Sequence, residues 1–263
     1  MTDSKLLISR DRPYVLQLTL NRREVHNAFD RDMIEQLTAS LVQAADDPGI
    51  RVVTLRAAGP SFSAGGDLAW MRRASEAPKG ENRADAQKLG DMFLLLAQLP
   101  KPTVALVQGN AFGGGVGIAA ACDVVIAVRA ARFALTEVKL GIAPAVISPH
   151  IVAAIGPRMA RRYMLTAESF GADEAQRIGL VHDVVASAAE LEGAGIDLVN
   201  RILANGPEAV ARTKALIRSV TGRPLDAALV SETADLIAEM RTLPEGREGL
   251  SAFLEKRKPN WAG

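Results

Sequence analysis

The sequence predicts an α/β fold built on a mostly parallel sheet and followed by an all-helical C-terminal region. Three observations carry that expectation: apolar strand patterns alternate with helical ones, glycine-rich turns sit where strands run into helices, and the strand signal stops near Ser187. With 263 residues, 48% of them hydrophobic and only 4% aromatic, the chain can bury a large core and keep surface for association. We divide it into a core with the ligand site at 1–190 and a helical oligomerisation region at 191–263.

Lys5 to Ser9 reads as a strand, and Leu16, Leu18 and Leu20 alternate with Gln17 and Thr19, so a hairpin opens the fold. After the Asn21-Arg22-Arg23 turn, Asp30 caps a helix whose Met33, Ile34, Leu37, Leu41 and Ala44 recur at helical spacing, and Asp47-Pro48-Gly49 ends it. Ile50 to Ala57 reads as a buried strand, followed by a glycine-rich loop at Pro60 to Gly66. The polar stretch Ser75 to Asp85, with Pro78 and Gly80, is expected to be a mobile loop over a ligand site. A helix carries Leu89, Met92, Phe93 and Leu96; Lys101-Pro102 breaks it, and strand Thr103 to Val107, a helix from near Gly114 and strand Val124 to Val128 follow. The tail reads as helices near Ala188–Ala204, Pro207–Val220, Leu225–Arg241 and Glu245–Lys256, with Pro207 and Pro244 near first helical positions. No fixed-period repeat or low-complexity tract occurs.

Thirty-one Lys and Arg face 30 Asp and Glu, a formal net charge of +1 with no long run of one sign, which argues against nucleic-acid and membrane-surface binding. Met1 to Arg10 contains Asp3 and lacks the apolar centre of a signal peptide, and no stretch of about 18 apolar residues occurs, so a cytoplasmic protein is expected. Cys122, the single cysteine, fits a small buried side chain better than a nucleophile.

Two segments bring glycine-rich backbone to a strand end: Ser61-Phe62-Ser63-Ala64-Gly65-Gly66-Asp67-Leu68 and Gly109-Asn110-Ala111-Phe112-Gly113-Gly114-Gly115-Val116-Gly117. Each alone fits a tight turn; together they supply two N–H groups, one on a helix N-terminus, that would polarise a carbonyl and stabilise an enolate. A dinucleotide fingerprint fails at Ile118, and no phosphate-binding P-loop occurs. Ser61-x-Ser63-x-Gly65 narrowly misses the serine-hydrolase elbow, and His26, His150 and His182 fit solvated or packing roles better than that of its base. No Cys/His cluster or H-E-x-x-H motif exists, so neither a metal nor a resident cofactor is expected.

Asn21-Arg22 with Asn27-Ala28-Phe29, Phe62 through Leu68, Gly113-Gly114-Gly115 before Cys122-Asp123, Phe133 through Glu137 to Gly141-Ile142-Ala143-Pro144, and the tail Glu245-Gly246 through Phe253 to Arg257 occur in order over nearly the whole chain. In these residues the sequence resembles the crotonase (enoyl-CoA hydratase/isomerase) superfamily. The resemblance implies a ββα spiral core with a helical trimerisation region, and an acyl-CoA substrate whose coenzyme A is part of the substrate. It implies that the Ala64 and Gly114 amides form the oxyanion hole. Arg22, Glu24, Val25, Ala28, Gly65, Gly66, Asp67, Leu68, Gly113 and Gly117 would lie along bound ligand, with Asp67 also holding its loop. Phe253 and Lys256 would be lent to a neighbouring subunit's site in a trimer or a hexamer. Core packing for Phe253 and a solvated helix face for Lys256 remain the alternatives.

Hydratases of this superfamily commonly carry two glutamates twenty positions apart; Glu137 matches the second, and Gly117 stands where the first would be. Glu137, among Phe133, Leu135, Val138 and Leu140, suits a general acid/base in an apolar pocket. Gly66 to Met71, Ala143 to Pro149 and Arg257 to Trp261 further resemble bacterial methylglutaconyl-CoA hydratases and the related isohexenylglutaconyl-CoA hydratases. Hydration of 3-methylglutaconyl-CoA is therefore the expected activity. Δ3,Δ2-enoyl-CoA isomerisation and isohexenylglutaconyl-CoA hydration are the alternatives, and a non-catalytic acyl-CoA-binding paralogue is the reading from another class. A distal substrate carboxylate calls for a cation, for which Arg72, Arg73, Lys139 and His150 are candidates unless each is simply solvated.

Overall fold

The computed structural model describes residues 4–262; Asp3, used above against a leader, lies outside them. Strand β1 (Leu6–Ser9) pairs antiparallel with β2 (Tyr14–Leu20), Leu6 facing Leu20, as the alternation required. Helix α1 (Arg31–Asp46) is capped by Asp30, whose Oδ1 accepts the Met33 N–H at 3.0 Å, and all five of its expected apolar positions are buried. Strand β3 (Ile50–Ala57) then opens a three-part unit that recurs.

In each unit a long strand enters one sheet, a three-residue strand enters a second sheet, and a helix follows. The first runs β3, β4 (Ser61–Ser63), then α2 (Leu68–Glu76) and α3 (Lys79–Gln98). The second runs β5 (Thr103–Val107), β6 (Asn110–Phe112) and α4 (Gly114–Ala121). The third runs β7 (Val124–Val128), β8 (Arg132–Ala134), a 3-10 turn at Glu137–Leu140 and α5 (Ser148–Thr166), which kinks at Gly156-Pro157. After β9 (Phe170–Gly171) and α6 (Ala172–Arg177), β10 (Asp183–Val185) closes the main sheet in the order β1-β2-β3-β5-β7-β10. The second sheet has the order β4-β6-β8-β9. Beyond the opening hairpin the main sheet is parallel, and this winding is the expected ββα spiral.

The C-terminal helices are α7 (Ala188–Leu203), α8 (Pro207–Val220), α9 (Ala227–Thr242) and α10 (Pro244–Leu254), with Pro207 and Pro244 at first positions. The boundary at 190 falls inside α7, which belongs to the core: Leu191 and Val199 are buried against the sheet, and a methyl group at Gly195 would meet Leu106 Cδ1 at 2.8 Å. The buried residues of the core cluster end at Val199, so the helices outside it begin at α8. Lys214 ties it back to the core by reaching Asp123 Oδ2 at 2.7 Å.

Ser75 to Asp85 is a helix–helix turn and not a mobile loop. Ala77-Pro78 separates α2 from α3, and Asn82 Nδ2 donates to the carbonyls of Ala74 and Ala77 at 2.6 and 3.0 Å. A polar, proline-containing helical hairpin has the same composition as a loop; only the Asn82 bonds distinguish them.

Candidate active site

The two glycine segments meet where β4 and β6 run side by side. Gly109 is required there because a Cβ would sit 2.0 Å from the Pro60 carbonyl oxygen. Gly113 takes φ +48°, and a methyl group on Gly114 would lie 3.9 Å from Gly65 Cα, so the second loop crosses directly over the first.

Gly114 opens α4, and its N–H has no acceptor among the described residues, as expected for a first helical position. The first loop differs from expectation. The Ala64 N–H donates to the His26 carbonyl at 2.9 Å and is committed within the protein. The free N–H of that loop belongs to Gly66. Gly66 forms a parallel bridge with Phe29, in which Phe29 N donates to Gly65 O at 2.7 Å and Asp67 N to Phe29 O at 2.9 Å. That pairing turns the Gly66 N–H away from Phe29, with no acceptor among the described residues. The sequence shows which loop carries the candidate amide; which residue of the loop has its N–H free depends on a backbone pairing across 37 positions that no local pattern reveals.

Glu137 stands at the end of β8 on the 3-10 turn. Its Oε1 is so close to Gly113 that a Cβ there would be 2.9 Å away, and its buried Oε2 has no hydrogen-bond partner. Burial pushes the Glu137 carboxyl above the usual carboxylate range, opposed only by its own backbone N–H. Phe133 and Leu135 are buried and Leu140 walls a cavity together with Glu137, as expected, whereas Val138 lines neither cavity at this site.

Two cavities meet at Glu137, sharing Gly66, Met71, Glu137 and Ile142 as walls. The inner one, about 340 Å³, runs between Trp70, Met71 and Ala74 of α2, Asn82, Asp85 and Leu89 of α3, and the Ala143–Ile147 segment. The outer one, about 640 Å³, is walled by Glu24, Val25, His26, Ala28, Gly65, Asp67, Leu68 and Gly113. Glu24, Val25, Ala28, Gly65, Gly66, Asp67, Leu68 and Gly113 are thus brought together as expected.

Arg22 and Gly117 are not. The Arg22 guanidinium turns inward, donating to Ala28 O at 2.6 Å and to Asp67 Oδ2 at 2.9 Å. Asp67 also caps α2 through Trp70 N at 3.0 Å; burial opposes its charge, but the Trp70 amide and Arg22 hold its carboxyl below the ordinary range. Gly117 is buried in α4 and lines neither cavity. A Cβ on it would meet Ile147 Cγ2 at 2.4 Å and Phe93 Cε1 and Cζ at 3.0 Å, so apolar side chains fill the space a carboxylate at that position would need.

Among the cation candidates, Arg72 pairs loosely with Glu76 at 3.6 Å, Arg73 and Lys139 are on the surface, and His150 packs a half-buried ring 5.8 Å from Phe93. None lines the inner cavity. Besides Glu137, its acidic wall residue is Asp85, held by Arg31 at 2.8 Å and by the Trp70 indole at 3.4 Å. Ser63 is buried, donating to Asn27 O at 2.9 Å, while His26 pairs with Ser61 instead; no serine nucleophile is assembled. Burial pushes the Cys122 thiol up to about 12, which makes it inert. Phe253 and Lys256 stand on the surface of α10 and just beyond it, outside both cavities.

A spiral of ββα units presenting two free amides to a buried carboxylate defines a class of enzyme that works on a carbonyl next to an acidic carbon. Residues 11–263 match the family model for enoyl-CoA hydratase/isomerase, and the chain belongs to that family. It is 36% identical to crotonyl-CoA hydratase of Syntrophomonas wolfei over 93% of each chain, and 35% identical to 2,3-dehydroadipyl-CoA hydratase of Escherichia coli over 99% of each. Among solved structures, an enoyl-CoA hydratase from Shewanella pealeana superposes with a TM-score of 0.95 at 40% identity, covering 99% of this chain and 97% of that one. AtuE of Pseudomonas aeruginosa does so with a TM-score of 0.95 at 39% identity, covering 99% and 100%.

Proposed function

We propose that the protein hydrates an α,β-unsaturated acyl-CoA, with Gly66 and Gly114 N–H groups holding the thioester oxygen and Glu137 moving the proton. The observation that carries this is the Glu137 carboxylate with one unpartnered oxygen, set at the junction of two cavities beside two unpaired amides. Negative charge that develops on the thioester oxygen is met by donors already in place, while the desolvated carboxylate is a stronger base than one in water. The relatives named above as hydratases support the same chemistry. No metal or cofactor takes part in this reading.

The outer cavity suits the pantetheine arm and the inner one the acyl group. Our expected substrate is 3-methylglutaconyl-CoA, chosen on the resemblance; 3-methylcrotonyl-CoA, of similar branching but without the second carboxylate, is the control. Apolar walls favour a branched chain. The distal carboxylate would enter a cavity whose wall carries Asp85, and the cation we assign to it is Arg31, which pairs with Asp85 at 2.8 Å but is not itself a wall residue. The pair of substrates separates these demands: preference for the dicarboxylate supports the glutaconyl reading, and preference for the neutral ester overturns it.

One observation favours isomerisation as a second reading: with Ile147 and Phe93 filling the space beside Gly117, position 117 supplies no carboxylate to hold a water. Mass spectrometry distinguishes the two, since hydration adds one water and a double-bond shift adds nothing. A trimer or hexamer is part of the proposal. Exposed Leu225, Val230, Leu250, Phe253 and Leu254 on and around α9 and α10 form apolar surface that a second copy would cover, bringing Phe253 and Lys256 to a neighbour's outer cavity. Light scattering that finds a monomer would contradict it.

A further inference from the structure

Arg22 spends its guanidinium inside the protein, and what it joins bears on the oxyanion hole. Nη1 donates to the Ala28 carbonyl at 2.6 Å; Nη2 reaches Asp67 Oδ2 at 2.9 Å and Asp30 Oδ2 at 3.3 Å. Ala28 and Asp67 flank the two sides of the bridge that fixes the Gly66 N–H. Ala28 precedes Phe29, whose N–H and carbonyl hold Gly65 and Asp67, and Asp67 directly follows Gly66. Asp30, anchored by capping α1 and by Lys5 at 2.6 Å, holds the guanidinium itself in place. Arg22 and Asp67 side chains are only 12% and 11% exposed, so water competes little for these bonds. A planar fork can serve three acceptors at fixed angles, which a lysine ammonium cannot do.

We propose that Arg22 is a positioning residue for the Gly66 half of the oxyanion hole, clamping Ala28 to Asp67 so that the Gly66 N–H keeps its aim. It acts without touching substrate, and the inference rests on the proposed roles of Gly66 and Gly114. Displacing a preorganised donor weakens its bond to the developing oxyanion more than it weakens binding of the remainder of the ligand.

The test uses Arg22→Lys and Asp67→Asn in the full chain, each checked for folding by its thermal melt. Asparagine at 67 keeps the helix cap and loses the ion pair. The main readout is the infrared frequency of the thioester carbonyl in a bound acyl-CoA labelled with ¹³C at the carbonyl carbon. In the parent protein the bound frequency falls below that of free ligand. In both variants it is expected to move back toward the free value, with kcat lower by about 10–100-fold and ligand Kd changed by less than about 3-fold. A parent protein that leaves the carbonyl frequency unshifted refutes the oxyanion-hole reading itself. A shifted parent with folded variants that keep its frequency and its kcat overturns the role of Arg22 alone. Should Arg22→Lys fail to fold, Asp67→Asn decides on the same readout.

Discussion

Replacing Gly117 by alanine should destabilise the protein, although alanine is the better helix former. The added Cβ would lie 2.4 Å from Ile147 Cγ2 and 3.0 Å from two atoms of the Phe93 ring, and both neighbours are buried. Overpacking a tight core costs about 1–3 kcal/mol. The gain in helix propensity, about 1 kcal/mol, offsets part of it, leaving a net loss of up to about 2 kcal/mol. Guanidinium unfolding at fixed protein concentration should show a lower midpoint with unchanged slope. Ile147→Ala removes the clashing methyl and by itself costs about 2–5 kcal/mol. The double variant should then be more stable than the two losses added together, by about 1–3 kcal/mol. Strict additivity, or a Gly117→Ala protein more stable than its parent, would refute the steric account and reopen this position to a catalytic side chain.

Three further outcomes follow from the site. Gly66→Pro removes the free amide and should lower kcat by about 10²–10³-fold, whereas the committed Ala64 amide leaves no such role for its own residue; a Gly66→Pro enzyme with normal kcat would count against the assignment. Because burial raises the folded-state pKa of Glu137, the folded protein holds that proton more tightly than the unfolded chain. The resulting stabilisation is complete below the unfolded pKa and is lost as pH rises through the folded one, so Glu137→Gln should raise the thermal midpoint at pH 8 but not near pH 4. Equal midpoint shifts at the two pH values would contradict this. Asn82→Ala frees the two carbonyls that close the α2–α3 turn, with an expected cost of about 1–2 kcal/mol and faster proteolysis at Ala77-Pro78, read by timed digestion.

Much of this fold was legible because its long elements bury one face each. The period-two leucines of β2, the 3.6-period face of α1 under its Asp30 cap, and the prolines that start α8 and α10 are local signals, and each matched its element. The second sheet was not legible. Its strands β4, β6 and β8 are three residues long, too short for any alternation to show: β4 reads as part of the glycine-rich loop, and β6 and β8 leave no signal beside their longer neighbours. For the same reason the recurring ββα unit leaves no sequence repeat.

At the site, Glu137 and the Gly114 amide could be reached from motif and helix start. Gly66, the inward turn of Arg22 and the filling of the space beside Gly117 depend on contacts between segments far apart in the chain. Asn27 shows how a motif residue can be structural: left-handed at φ 57°, it bonds Ala58 O and Ser61 O at 2.8 Å and builds the corner from which the outer cavity rises.

The central claim is that one carboxylate, with two backbone amides opposite it, suffices for hydration. Following the ultraviolet absorbance of the conjugated thioester of 3-methylglutaconyl-CoA, in parent and Glu137→Gln proteins, tests it most directly. We expect a fall in the parent with a product heavier by one water, and a rate lower by about 10²–10⁴-fold in the variant. An unchanged rate in the variant, or turnover in the parent without gain of water, would contradict the claim.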